Sequence, residues 1–415
     1  MRKSKKLLAV LLVMSVFMMP GCGKESLTEY DSSSGMGVGD MVSEQLSGMT
    51  TDDANGDGTG DVSLTDEEAI NQEAEKILSE MTLEEKVYQM FIVTPEALTG
   101  YDAVNASTSI TKGKLEQYPV GGLIYFSHNI EDPKQTSDML HNTTKSAKEL
   151  QGMPIFLCVD EEGGRVVRVA NNEAMGVTNV GPMGEIEDKS EAYTAGKTIG
   201  AYLNELGFTV NMAPVVDVVT DDGNTVIGDR SFGADPLLVK KYGDAYSDGL
   251  HSQYIMSVYK HFPGHGSTVG DTHNGAVSID KTYDELKSTD LVPFASAEED
   301  GIDMVMVAHV SVPNVTGDDT PCTLSYKMVT EILRGDLGYS GLIVTDGMNM
   351  KAITKQYSSG EATVKAIQAG VDLILMPEDF EDAVQGVLDA VENGDITEDR
   401  INESVLRIIK KKLTM

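Results

Sequence analysis

Eight apolar runs of strand length recur along the chain, and nearly all are separated by stretches with helical periodicity. The runs are 87–93, 120–126, 154–159, 209–216, 254–259, 304–310, 341–345 and 371–376. Continuous apolar runs, rather than alternating ones, fit parallel strands buried on both faces. Between and after them lie amphipathic segments at 135–150, 191–206, 237–253, 283–299, 325–336, 361–369, 380–393 and 398–413, with one more at 67–81 ahead of the first strand. Eight such units over this length predict an α/β chain closed into a (β/α)8 barrel. An open doubly wound sheet is the alternative. No glycine-rich dinucleotide fingerprint follows the first strand, which weighs against it.

A barrel of this kind gathers its chemistry at the C-terminal ends of its strands. The polar residues fall at those ends. Asp160 follows the third run, Asp217 the fourth, Lys260 and His261 the fifth, His309 sits near the end of the sixth, and Asp346 follows the seventh. The densest stretch is 260–275, Lys-His-Phe-Pro-Gly-His-Gly-Ser-Thr-Val-Gly-Asp-Thr-His-Asn-Gly, which places His261, His265 and His273 beside Lys260 and Asp271. Two chemistries suit it. Three imidazoles are candidate metal ligands. Alternatively, Asp271 and His273 are close enough in sequence to hydrogen bond, which would fix the imidazole tautomer for general acid/base work.

The N-terminus reads as an export signal over residues 1–21, with Arg2, Lys3, Lys5 and Lys6 before an apolar stretch too short to span a bilayer comfortably. Cys22 follows Gly21, a pattern that resembles a bacterial lipoprotein signal and implies lipidation at Cys22. Acyl chains would then anchor the chain to the cell membrane from outside the cytoplasm, without a spanning helix. Residues 22–66 are small, polar and acidic, and are expected to form a flexible tether. Within it, Asp53–Asp61 matches the first half of a calcium loop, but Leu64 stands where a bidentate carboxylate is required, so a linker is the better reading. The net charge of −34 disfavours nucleic acid as a partner. Apart from Cys22, the cysteines Cys158 and Cys322 form no disulfide framework and are expected to be free thiols.

The stretch Lys260-His-Phe-Pro-Gly-His-Gly with Asp271-Thr-His273 resembles the signature of family 3 glycoside hydrolases of the β-N-acetylhexosaminidase type. Four further stretches agree in order: Met81-Thr-Leu-Glu-Glu-Lys-Val, Val159-Asp-Glu-Glu-Gly-Gly-Arg165-Val, Ile227-Gly-Asp-Arg-Ser-Phe-Gly and Gly341-Leu-Ile-Val-Thr-Asp-Gly-Met-Asn-Met. The likeness covers residues 67–415, the expected catalytic barrel. It implies Asp346 as catalytic nucleophile and His273 as general acid/base, oriented by Asp271. It implies that Asp160, Arg168, Arg230, Lys260 and His261 bind an N-acetylglucosamine ring. The implied activity is retaining, exo-acting removal of terminal β-linked N-acetylglucosamine from peptidoglycan-derived or chitin-type saccharides, with no metal or other cofactor and no obligate protein partner.

Members with a second domain can carry the acid/base there. This chain ends on the barrel's last helix, so the histidine-using branch is expected. Two alternatives remain open at this stage: a phosphorylase using the same site, and a non-catalytic sugar-binding lipoprotein. Ser267 stands where relatives often carry an acidic residue and Gly270 where a bulkier one is common, so a looser loop is expected there. Arg165 reads as a brace for the loop after the third strand, Asp217 and His309 as supports behind the site, and His265 as brace or contact.

Overall fold

The computed structural model describes residues 66–221, 223–268 and 270–415. The expected signal at 1–21, the lipidation residue Cys22 and the tether up to residue 65, including Asp53–Asp61, lie outside the described residues. Among the described residues no helix is long and apolar enough to cross a membrane.

The strands are β1 (Phe91–Val93), β2 (Gly122–Tyr125), β3 (Phe156–Val159), β4 (Val210–Asn211), β5 (Met256–Phe262), β6 (Val277–Ser278), β7 (Met304–Val307), β8 (Val310–Ser311), β9 (Leu342–Thr345) and β10 (Ile374–Leu375). Eight of them form one parallel sheet in the order β10-β1-β2-β3-β4-β5-β7-β9. Its two ends meet through a parallel bridge between Val344 and Leu373, where Thr345 N–H donates to the Leu373 carbonyl at 3.0 Å. The sheet therefore closes on itself as the expected barrel, with helices outside. Phe-Ile-Val, Phe-Leu-Cys-Val and Met-Val-Met-Val in β1, β3 and β7 are buried throughout, as strands covered on both faces must be. The remaining pair, β6 and β8, forms a separate two-stranded ribbon.

Several boundaries differ from the sequence expectation, each for a local reason. Residues 87–89 are helical, not extended. Thr82 accepts the Glu85 N–H at 3.2 Å while the Glu85 carboxylate accepts the Thr82 N–H at 2.8 Å, a reciprocal cap that starts the helix Leu83–Gln89. The helix expected at 283–299 stops at Ser288, because Pro293 disfavours helical angles at Val292 and cannot continue the ladder. The run 304–310 divides into β7 and β8, and only β7 belongs to the barrel. In the run 209–216, regular pairing is confined to β4, with a single bridge from Val215 to Lys260 beyond Pro214.

Outside the barrel, the helices Lys189–Leu206 and Pro236–His251 approach at two glycines. A Cβ on Gly196 would stand 2.0 Å from the Tyr246 carbonyl oxygen, and one on Gly249 would stand 2.3 Å from the Tyr193 oxygen. At the strands' N-terminal ends the last helix, Glu398–Leu413, inserts Lys412. Its Nζ donates to Gln89 Oε1 at 2.7 Å and lies 5.2 Å from the Phe156 ring centroid. Asp372, fully buried just before β10, accepts from the Ile343 N–H, Ser404 and Arg407, and pairs with Arg334. Cys158 and Cys322 are buried free thiols.

Candidate active site

At the strands' C-terminal ends lies a cleft of about 660 Å³, within the usual range for small-ligand sites. Asp160, Arg168, Arg230, Lys260, His261, His273 and Asp346 all line it. Residues separated by up to 186 positions in sequence are thus brought to one mouth by strand order alone.

Strand β5 sets the deepest part. It is buried along all seven residues and runs on to Phe262, three residues past the expected end at Tyr259, so Lys260 and His261 lie on the barrel wall rather than in the following loop. The Lys260–His261 and Phe262–Pro263 peptide bonds are cis. Lys260 Nζ lies 3.2 Å from Asp160 Oδ1, and Arg168 Nη2 lies 3.2 Å from Asp160 Oδ2. His261 Nδ1 faces Asp217 Oδ2 at 2.7 Å, and the His261 N–H donates to Asp217 Oδ1 at 3.1 Å. Burial pushes the Asp217 carboxyl up, but the His261 imidazole and the bonds from the histidine loop outweigh it and hold it below its ordinary value. Asp217 is therefore a support beneath the cleft, as the sequence suggested.

Glu162, which the sequence reading passed over, anchors this wall. Arg230 reaches it with Nε and Nη2, both at 2.8 Å, and Lys260 Nζ reaches it at 2.6 Å. Burial alone would raise its carboxyl; the two cations instead hold it well below the carboxylate range. The signal was present in Asp160-Glu-Glu162, since residues two apart in extended chain share a face. Neighbouring Glu161 turns the other way. Its carboxylate accepts the N–H groups of Arg168, Val169 and Ala170 and the Tyr202 hydroxyl, which shapes the loop carrying Arg168. Arg165 stays outside the site. Its Nη2 donates to the carbonyls of Thr225, Val226 and Ile227, so it braces the segment leading to Arg230. Arg168 also lies over the Phe126 ring, 5.4 Å from its centroid, and Phe126 stacks on His128.

Asp346 follows β9. Its Oδ1 accepts the Gly347 N–H at 2.7 Å. Burial raises its carboxyl, while the imidazoles of His261 and His309, the Gly347 N–H and Lys260 hold it below its ordinary value, and so ionised at neutral pH. His309 lies behind it with Nε2 2.9 Å from the Gly347 carbonyl and Nδ1 2.9 Å from Thr323 Oγ1. A carbonyl can only accept, so Nε2 carries the proton. Burial pushes His309 down, and its hydrogen bond to the Gly347 carbonyl fixes the backbone beside Asp346.

His273 is the most open member, with its side chain 68% exposed. Its Nδ1 lies 2.7 Å from Asp271 Oδ1, and its own N–H donates to the same oxygen at 2.9 Å. The carboxylate fixes the proton on Nδ1 and leaves Nε2 available for proton exchange. Burial opposes ionisation of Asp271, but the His273 hydrogen bonds prevail and hold its carboxyl down. His265 is a brace: Nδ1 meets Thr268 Oγ1 at 2.9 Å, and its carbonyl accepts from Asn224 at 2.8 Å. Ser267 is anchored more firmly than its size suggested, by the buried Asp290 and by Lys281 Nζ at 2.7 Å. The side chains of His261, His265 and His273 thus have separate partners. Among the described residues no three His, Cys, Asp or Glu side chains converge to hold a metal ion.

Residues 82–411 match the glycosyl hydrolase family 3 N-terminal domain. Beta-hexosaminidase A of Pseudoalteromonas piscicida is 34% identical over 324 residues, which cover 72% of this chain and 54% of that one. Beta-hexosaminidase LpqI of Mycobacterium tuberculosis is 36% identical over 270 residues, covering 63% of this chain and 68% of that one. Among solved structures, a glycoside hydrolase family 3 beta-N-acetylglucosaminidase from Paenibacillus sp. str. FPU-7 is 36% identical with a TM-score of 0.74, over 81% of this chain and 64% of that one. The chain therefore spans about half the length of the Pseudoalteromonas relative and just under two thirds of the Paenibacillus one. A family match across the whole barrel, and relatives that share its fold, lead to one statement: the chain belongs to glycosyl hydrolase family 3.

Proposed function

We propose that the chain is a retaining, exo-acting β-N-acetylglucosaminidase that removes terminal β-linked N-acetylglucosamine from peptidoglycan-derived or chitin-type saccharides. The observation that carries this reading is one cleft lined by an ionised Asp346, by His273 with its Asp271 partner, and by the polar set Asp160, Arg168, Arg230, Lys260 and His261. The names of the relatives support the sugar. We further propose that the chain is held outside the cytoplasm by lipidation at Cys22, a reading that rests on the N-terminal sequence alone.

In the proposed cycle a carboxylate oxygen of Asp346 attacks the anomeric carbon as the bond to the leaving oxygen breaks. His273 Nε2 gives that oxygen its proton, and a glycosyl ester on Asp346 results. His273 then takes a proton from water, whose oxygen attacks the same carbon and releases Asp346. Two inversions retain the configuration. An imidazole titrates near neutrality without the apolar pocket that a carboxylic acid needs for this task. That fits an acid/base group as open to solvent as His273. Asp160, Arg168, Lys260 and His261 supply fixed donors and acceptors for ring hydroxyls and the N-acetyl group, with Lys260 oriented by Glu162, His261 by Asp217, and Arg168 by Asp160.

The test is release of N-acetylglucosamine from a chromogenic β-N-acetylglucosaminide by wild type and Asp346→Ala, with and without inorganic phosphate. Phosphate-independent release that Asp346→Ala abolishes is expected. A sugar 1-phosphate product would make the protein a phosphorylase. No turnover by folded wild type would leave the sugar-binding lipoprotein as the better reading.

A further inference from the structure

The Asp271–His273 pair stands on a long loop between β5 and β6, and its carboxylate has a second partner. Asn274 Nδ2 donates to Asp271 Oδ2 at 3.0 Å, while Oδ1 serves His273. The Asn274 backbone carbonyl, in turn, accepts from Lys355 Nζ at 2.8 Å. Lys355 belongs to the segment after β9, the strand that presents Asp346, and follows the short helix Lys351–Thr354. Another bond joins the same two segments, from the Ala352 N–H to the Thr272 carbonyl at 3.1 Å. The two contacts lie on either side of His273.

We propose that Lys355 and Asn274 are positioning residues that latch the Asp271–His273 pair to the element bearing Asp346. This inference rests on the acid/base reading of His273. The need for such a latch follows from exposure. A ring that is 68% exposed has little packing to fix it, and the loop contains Gly264, Gly266, Gly270 and Gly275. At the loop's start Asp290 and Lys281 anchor Ser267, but that point of attachment stands four residues before Asp271. Downstream, Lys355 is the side chain that reaches the backbone immediately after His273. It links the two proposed reacting groups through Asn274 and Asp271, so its loss acts on proton delivery and leaves the sugar-binding set untouched.

Proton delivery has a specific kinetic signature. A glycoside whose leaving oxygen is a weak base departs without help, whereas a sugar alcohol must be protonated as it leaves. The experiment compares kcat/KM for 2,4-dinitrophenyl β-N-acetylglucosaminide and for N,N′-diacetylchitobiose in wild type, Lys355→Met, Lys355→Arg, Asn274→Ala and His273→Ala. Losing one solvent-exposed hydrogen bond corresponds to roughly a three- to tenfold effect. Lys355→Met and Asn274→Ala are expected to lose about that factor on the disaccharide and less than about twofold on the dinitrophenyl glycoside, with Lys355→Arg restoring most of it. An equal loss on both substrates, or none on either, overturns the latch. If His273→Ala itself shows no dependence on the leaving group, the acid/base assignment fails and the latch falls with it. Lys355 is exposed, so its variants test the contact and not the ability to fold.

Discussion

Lys260 Nζ and Glu162 Oε1 lie 2.6 Å apart on side chains that are 3% and 2% exposed. A charge so deeply placed is tolerable only while its partner is present. Glu162→Gln leaves Arg230 without its carboxylate partner and Lys260 with only the 3.2 Å contact to Asp160. It is expected to cost about 3 kcal/mol or more in urea unfolding. Lys260→Met in the same background is expected to recover part of that loss, because it removes one of the two cations that Glu162 balances. Both variants also disturb the cleft, so stability and not turnover is the quantity to follow.

Arg165 separates bracing from contact. With Nη2 on the three carbonyls before Gly228 and Nε 3.1 Å from Asp229, it holds the segment that aims Arg230. Arg165→Ala is expected to raise KM for an N-acetylglucosaminide by up to about tenfold while kcat changes much less, since the reacting groups are untouched. Steady-state kinetics on one chromogenic substrate decide this.

The acid limb of activity is expected to report Asp346, the proposed nucleophile. Its carboxyl is pushed up by burial but held below the ordinary aspartate value by His261 first, then by His309. As the proposed nucleophile Asp346 acts when ionised, so kcat/KM is expected to persist down to pH values below the usual aspartate range and to fall only beneath them. Replacing His261 with Gln removes the foremost stabilising neighbour, and the acid limb is expected to move to higher pH. A limb that stays in place would show that another group governs it.

Lys412 makes stability depend on alkaline pH. Burial pushes its amine down to about 7, against about 10.4 in an unfolded chain. Between these values the unfolded state binds the extra proton, so this residue's contribution improves as pH rises from about 7 to about 10.4 and is least favourable below 7. Lys412→Met keeps an unbranched apolar stem and cannot titrate. It is expected to be more stable than wild type at pH 6 and to lose that advantage by pH 10, as read from urea midpoints at constant ionic strength. The change across the window is on the order of 4 kcal/mol.

The barrel was legible because apolar runs buried on both faces leave an unbroken signature: seven of the eight barrel strands fall within expected runs, and β5 overlaps its run and extends past it. What sequence patterning missed was polar. Lys260 and His261 looked like the start of a loop, since a charged side chain ordinarily ends a buried strand. They remain in β5 because Asp160, Glu162 and Asp217 meet them from the segments that follow β3 and β4. Such compensation is invisible along one segment, as is the role of Asp290 in anchoring Ser267. The reciprocal cap at Thr82 and Glu85 was readable in Thr-Leu-Glu-Glu, but the apolar Val87 to Val93 run masked it. The cleft residues were named correctly as neighbours; which of them hold each other rather than await a ligand required coordinates.

The ribbon of β6 and β8 has an implication for how such a site can change over generations. The loop bearing His273 leaves β5 at Phe262 and ends at Val277, where Val277 pairs with Val310 just beyond β7, the neighbouring barrel strand. Both ends are therefore fixed to adjacent staves, which makes the segment that carries His273 a cassette held between them. A replacement of different length must meet those two attachment points and find its own contacts in place of those that Lys355, Ala352 and Asp290 make to this loop, while the strand that presents Asp346 can stay unaltered.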